Sequence, residues 1–502
     1  MTLMSRRGFL AASAAALAVT PFARQGFAQT PAIGLRASSR VLDINGRAAT
    51  VWGLEGPSGQ GLVLDPGQRF RVDLTNDLPE ATLIHWHGQI PPNEQDGVPD
   101  MPMPRIAPGE TRGYDFATIP GTYWMHAHIP LHEMRLLAAP LIVRSKEDAS
   151  ADRQDVVMFL HDFAFKSPAE VMEEITRGHS SSGQAGMKHG AMQGAASGND
   201  SRGGGMNHDM MQGMQGGNGM AMNGMAGMAG MAMDLNDYDW DAYLANDRTL
   251  SDPDVIRVER NGRVRLRVVN ASAATVFWID TGRVEARLVA VDGQAIQPLT
   301  GSRFGVAMAQ RLDLELDLDG ADAWPILALR EGARERTGLI LAASGAAVPR
   351  LSLLADEEAP AFDTDLSQEK RLVALAPLPE HEAQRSSMVT LGGTMQPYRW
   401  TIDGRVWGEH KPVTARSGER VEIMLHNMSM MGHPMHLHGH TFQVVGVNAK
   451  RISGARRDTI YVPPMAMVTI ALDAGEAARW MLHCHHMPHL ETGMMTEFAV
   501  SA

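Results

Sequence analysis

The chain has 502 residues, 44% of them hydrophobic, enough for about three domains with a core each. Lys and Arg number 45 against 57 Asp and Glu, a formal charge of −12 that argues against a nucleic-acid partner and favours cations nearby. Cys484 is the only cysteine, which excludes an internal disulfide framework, while 34 Met and 20 His point towards soft-metal chemistry.

Residues 5–10 read Ser-Arg-Arg-Gly-Phe-Leu, lead into an alanine-rich apolar stretch to Val19, and are followed by Gly26-Phe27-Ala28. Residues 1–28 resemble a twin-arginine export signal cleaved after Ala28; the apolar run is shorter than the ~20 residues that span a bilayer. Loss of its three arginines, with no acid, takes the formal charge from −12 to −15. The expectation is a protein soluble in the bacterial periplasm, without a membrane anchor after cleavage.

A strand pattern begins at Gly67 and closes at Asn76: a turn glycine, apolar and polar residues in alternation, then a turn-favouring Asn. It returns at Gly262–Asn270 and at Gly418–Asn427. The first interval is the longer because it contains a low-complexity insert; without the insert the two are similar. Three homologous β-sandwich domains in tandem are predicted, at 36–147, 153–347 and 366–502.

Between the first two copies, the segments His85-Trp86-His87-Gly88 and His126-Ala127-His128 each carry His-x-His, which on a strand puts two imidazoles on one face. The insert, residues 179–233, has too little branched or aromatic bulk for a core, yet holds twelve methionines, among them Met206, Met210, Met214, Met225 and Met228. A plain linker has no need of thioethers, which are ligands that select Cu(I). After the third copy come His433-Pro434-Met435-His436-Leu437-His438-Gly439 and His483-Cys484-His485, followed by His489 and Met494. If His483–His485 is extended, the thiolate points to one face and the two imidazoles to the other, so one segment links two metal sites.

These four segments, in this order, resemble the copper-binding motifs of the multicopper oxidases, the family of laccases and periplasmic cuprous oxidases. The resemblance covers nearly the whole mature chain and implies an all-β fold of three cupredoxin-like Greek-key domains carrying four copper ions. By position, a type 1 copper would take His433, Cys484, His489 and Met494. A type 2 copper would take His85 and His436, and a type 3 pair His87, His126, His128, His438, His483 and His485. The middle strand copy has no His-x-His beside it and builds no such site.

Reduction of dioxygen to two waters also needs protons. The family places a carboxylate after the first His-x-His, where this chain has Asp96; Glu491, close after His489, is a second candidate. An axial Met favours a moderate potential and easily oxidised donors, of which Cu(I) is one. Met431 matches a substrate-copper Met of the cuprous oxidases, with Met430 beside it. The corresponding Asp position holds Ser429, and Glu409 is its suggested replacement, with the insert methionines as further substrate-copper ligands. The expected activity is oxidation of Cu(I), and of small aromatic reductants such as phenols, by dioxygen, in a monomer serving periplasmic copper tolerance. A laccase-like phenol oxidase, a ferroxidase and a non-catalytic copper-sequestering protein are the competing readings.

Overall fold

The computed structural model describes residues 31–177 and 235–502; the expected leader and the insert, with Met206, Met210, Met214, Met225 and Met228, lie outside the described residues. The described chain is all-β apart from short helices, and its strands form six sheets that follow one another in pairs. In the first pair, a five-stranded sheet containing Ile33–Ile44, Phe70–Asn76 and Thr111–Phe116 faces a four-stranded sheet containing Ile84–His87, Gly121–Ala127 and Ala138–Val143. Leu35, Phe70, Val72 and Tyr114 of the one meet Ile84, Trp86, Tyr123 and Leu141 of the other in a common core. A second core runs through the middle and last sheet pairs, from Leu266 and Leu314 to Ile423, Ile470 and Phe498.

The thrice-repeated pattern occupies the same place in each part. Phe70–Asn76, Arg263–Asn270 and Arg420–Asn427 each run parallel to the first long strand of their sheet and antiparallel to a later one. The closing asparagines, expected as turn residues, are fully buried clasps. Asn270 Nδ2 donates to the carbonyls of Thr275 and Val306 while its Oδ1 accepts from Ser272 N–H; Asn76 and Asn427 make the corresponding bonds. Each thereby satisfies backbone groups that would otherwise be buried without a partner.

Pairing register sets the histidines. His85 lies opposite His126 on the strands Ile84–His87 and Gly121–Ala127. Strand His433–Leu437 pairs with Arg479–Cys484 so that Met435 is opposite Cys484 and His436 opposite His483. Because side chains alternate along a strand, Met435 and Cys484 share one face and His436 and His483 the other.

Candidate metal centre

Histidines from the first and last parts converge in a buried cavity. His438 Nε2 stands 3.1 Å from His483 Nε2 and 3.2 Å from His128 Nε2. His126 Nε2 is 3.4 Å from both His87 Nδ1 and His485 Nε2, and His436 Nε2 is 3.4 Å from His85 Nε2. His85–His87–His436, His87–His126–His485 and His128–His438–His483 are each close enough to hold one ion.

The outward nitrogens explain why these rings face inward. His85 Nδ1 donates to the Asp96 carbonyl and His436 Nδ1 to that of Asp458, both at 2.8 Å, and His483 Nδ1 to that of Cys484 at 3.0 Å. Three carboxylates hold others: Asp96 Oδ2 is 2.8 Å from His438 Nδ1, Glu133 Oε2 is 2.7 Å from His126 Nδ1, and Asp458 Oδ1 is 3.1 Å from His87 Nε2. Glu133 Oε1 also faces His485 Nδ1, at 3.8 Å. These partners fix the tautomers, so the remaining nitrogens present lone pairs to one another across the cavity. His87 alone of these is turned, with Nδ1 inward, because Asp458 and Thr459 take its Nε2.

Burial, reinforced by neighbouring imidazoles, holds His87, His128, His436, His438 and His485 well below the ordinary histidine value. Burial likewise lowers His126, and takes His483 to about 3. Neutral rings with converging lone pairs repel unless a cation sits among them, so the residues present fit a cluster of metal ions. Imidazole donors of this kind suit copper, iron, nickel or zinc.

A second set lies on the opposite face of the same strand. Cys484 Sγ is 3.8 Å from His433 Nδ1 and 3.7 Å from His489 Nδ1, and the two imidazoles are 3.2 Å apart. Met494, also fully buried, is tied in by its carbonyl, which accepts from Cys484 N–H. Trp400 and His486 both stack on the His489 ring, at 3.9 and 3.8 Å between centroids. Burial pushes the Cys484 thiol far up, so a bound metal is what would make it a thiolate. One thiol, two imidazoles and a thioether form the donor set of a blue-copper centre.

Sequence reasoning named the histidines and Asp96 but missed three carboxylates. Glu133 is in the short helix Pro130–Glu133, and burial holds its carboxyl well above the usual range. Asp458 is gripped by the guanidinium of Arg311, from the middle part of the chain, whose Nη1 donates to Oδ1 at 2.7 Å. Asp237 Oδ2 lies 3.4 Å from His489 Nε2 and accepts from Tyr398 O–H. The suggested Glu491 is exposed, whereas Glu133 is buried against His126. Glu409, suggested as an acidic ligand for substrate copper, is exposed, with Arg399 3.7 Å away. Ser429 Oγ lies 2.8 Å from His433 Nε2, and the carboxylate close to this set is that of Asp237, at His489. Met431 is buried and Met430 partly exposed, both just before His433. The only local signal for Glu133 was its place five residues after His128.

Family profiles described as multicopper oxidase match residues 38–148, 194–345 and 380–502. The chain is 29% identical to multicopper oxidase MmcO of Mycobacterium tuberculosis over 438 residues, 86% of this chain and 79% of that one. It is 24% identical to copper resistance protein A of Escherichia coli over 613 aligned positions, 99% of each chain. Laccase-2 of Botryotinia fuckeliana is 24% identical over 88% of this chain and 77% of its own. Among solved structures, a multicopper oxidase of Pseudomonas thermotolerans aligns over 93% of this chain and 98% of its own, with TM-score 0.65 and 23% identity. Fet3p, a multicopper oxidase that functions in iron import, aligns over 93% and 90% with TM-score 0.72 and 16% identity, a likeness of fold.

Proposed function

This chain belongs to the multicopper oxidase family, an oxidoreductase that binds copper, and on that premise we propose that it oxidises Cu(I) with dioxygen in periplasmic copper tolerance. In this reading His433, Cys484, His489 and Met494 hold a type 1 copper and His85 and His436 a type 2 copper. His87, His126, His128, His438, His483 and His485 hold a type 3 pair. Bound there, four coppers supply the one-electron storage that four-electron reduction of dioxygen to two waters requires.

The observation that carries the reading is one tripeptide reaching three metal-binding sets. Cys484 lies with His433 and His489, while its neighbours lie with His128 and His438 on one side and His87 and His126 on the other. A few covalent bonds of this chain therefore join the thiol to the histidine cavity. Asp96 is the proposed proton carrier: Oδ2 is committed to His438, while Oδ1 has no hydrogen-bond partner and is where a proton would be held. Glu133 keeps His126 oriented, and the buried cavity excludes bulk water.

Cu(I) as donor is supported by the thioethers. Met430 and Met431 precede His433, and the chain leaves the methionine-rich insert only a few residues before Asp237, which touches His489. The insert methionines are proposed to gather Cu(I) there, in a monomer exported by the twin-arginine route. Among the described residues no helix is long and apolar enough to cross a membrane. Phenol oxidation, Fe(II) oxidation and copper sequestration without turnover are the competing readings. Steady-state oxygen uptake with Cu(I), Fe(II) and a phenol, on copper-loaded protein with and without residues 187–233, separates them. Preference for Cu(I) that falls on deletion, while phenol oxidation rises, is expected; equal loss on both, or on neither, contradicts it.

A further inference from the structure

The outer face of the last part's large sheet carries soft donors outside the sets described above. On strand Arg420–Asn427, Val421, Ile423 and Leu425 are fully buried, which leaves Met424 and His426 on the opposite, partly exposed face. Strand Arg385–Met395 runs beside it with Met388 opposite Met424, and strand Met467–Asp473 on the other side sets Met467 opposite His426. Directly opposed residues on adjacent strands have Cβ atoms ~5 Å apart, and residues two apart on a strand lie ~7 Å apart. Met424, His426 and Met467 thus fall within reach of a single ion, with Met388 next in the row. Among the described residues no hydrogen bond or ion pair engages the His426 ring.

The composition of this face is difficult to explain by folding alone. Solvated sheet faces are filled by β-branched, aromatic or charged side chains, whereas Met is a poor choice for a strand surface. Here Met388 is 55% exposed, and beyond the strand ends Met465 at 55%, Met428 at 58% and Met430 at 36% are exposed as well. Met428 follows His426 by two residues, and Asn427 N–H bonds to the carbonyl of Ala466, so these exposed thioethers adjoin the patch. In sequence, Met428 and Met430 lead to His433, one of the two imidazoles beside Cys484.

We propose that Met424, His426 and Met467, extended by Met388, form a surface binding site for Cu(I). Two thioethers and one imidazole are a donor set that prefers a soft monovalent cation over Zn(II), Mg(II) or Ca(II). Binding stands on the donor set by itself; only the further step, passage of the ion along the exposed methionines to the Cys484 set, rests on Cu(I) being the substrate. The ion is held unchanged at the patch, with no electron transferred there.

Ag(I), a soft monovalent cation that dioxygen does not oxidise, probes the site independently of turnover. Full-length, copper-loaded protein with labelled methionine methyl groups is titrated with Ag(I), and the signals are assigned by Met388→Leu, Met424→Leu and Met467→Leu, which nearly conserve volume. The Met424 and Met467 methyls are expected to shift together, and the Met424→Leu/Met467→Leu double variant to bind one Ag(I) fewer with unchanged melting. In the same variant KM for Cu(I) should rise about tenfold or more, with phenol oxidation as the internal control. Unmoved Met424 and Met467 methyls at saturation, or equal Ag(I) stoichiometry in the double variant, overturns the site. Ag(I) bound at the patch of a protein that does not oxidise Cu(I) leaves the site standing and removes the cuprous oxidase reading instead.

Discussion

In the proposed reading the Cys484 sulfur serves as ligand and as the covalent link between the two metal-binding regions, and serine keeps its shape without its chemistry. Cys484→Ser is expected to remove the intense blue absorption of copper-loaded protein and abolish turnover, with unchanged melting of the copper-free form. Retained blue colour would refute the assignment. Asp96→Asn keeps an acceptor for His438 Nδ1 but cannot carry a proton at Oδ1. Stopped-flow should show turnover lowered by about 10²–10⁴-fold, while anaerobic bleaching of the blue band by a reductant stays at the wild-type rate; equal slowing of both would argue for a structural role. The histidine pairs were legible because His-x-His is a local pattern, and Asp96 because the family resemblance points to a carboxylate after the first of them. Asp458 and Asp237 were not, because their contacts join distant stretches: His87 and Asp458 are 371 residues apart in sequence.

The three parallel central strands were legible as elements, since period-two alternation survives in each copy. What their asparagines do was not, because a turn residue and a buried clasp look alike until the partner carbonyls are known. Asn270, whose side chain bonds, among the described residues, only to Thr275, Val306 and Ser272 and to no proposed ligand, isolates that role. Asn270→Ala strips donors from the carbonyls of Thr275 and Val306 and should cost about 2–5 kcal/mol. A lowered melting temperature of the copper-free protein checks this; no change would mean that water replaces the clasp. A buried acid follows strand Ala323–Arg330: Glu331 accepts from Phe362 N–H at 2.5 Å, and burial pushes its carboxyl up from 4.5 to about 8. The folded chain holds this proton more tightly than the unfolded chain, so the contribution is complete below pH 4.5 and is lost as pH rises to about 8, by at most about 1.4 kcal/mol per pH unit. Glu331→Gln keeps the acceptor and should flatten the fall in melting temperature between about pH 5 and pH 8. An unaltered slope would show that Glu331 does not titrate there.

Across the whole molecule, the middle part lacks a His-x-His yet still shapes the histidine cavity. Its Arg311 grips Asp458, which orients His87 and whose carbonyl holds His436, while Arg311 Nε donates to the carbonyl of Thr122 in the first part. Arg457, close by in the last part, pairs with Asp292 and Glu369, so a buried chain of alternating charges joins the middle and last parts beside the cavity. Such pairs are expensive to bury and worse to break, which fits a role in fixing mutual orientation more than in adding stability. The tandem arrangement could be read from the repeat; the converging of first and last parts on one cavity came from the family resemblance, since no local pattern reports how sandwiches pack together. The central claim is that His483 and His485 bind metals in one cavity while Cys484 binds another on the far side of the strand. A crystal structure of copper-loaded protein, with anomalous scattering measured at the copper edge, tests it most directly. Four peaks are predicted, one at Cys484 Sγ between His433 and His489 and three among the histidines of the cavity. A bare Cys484 sulfur, or His483 and His485 rings turned away from any copper peak, would contradict it.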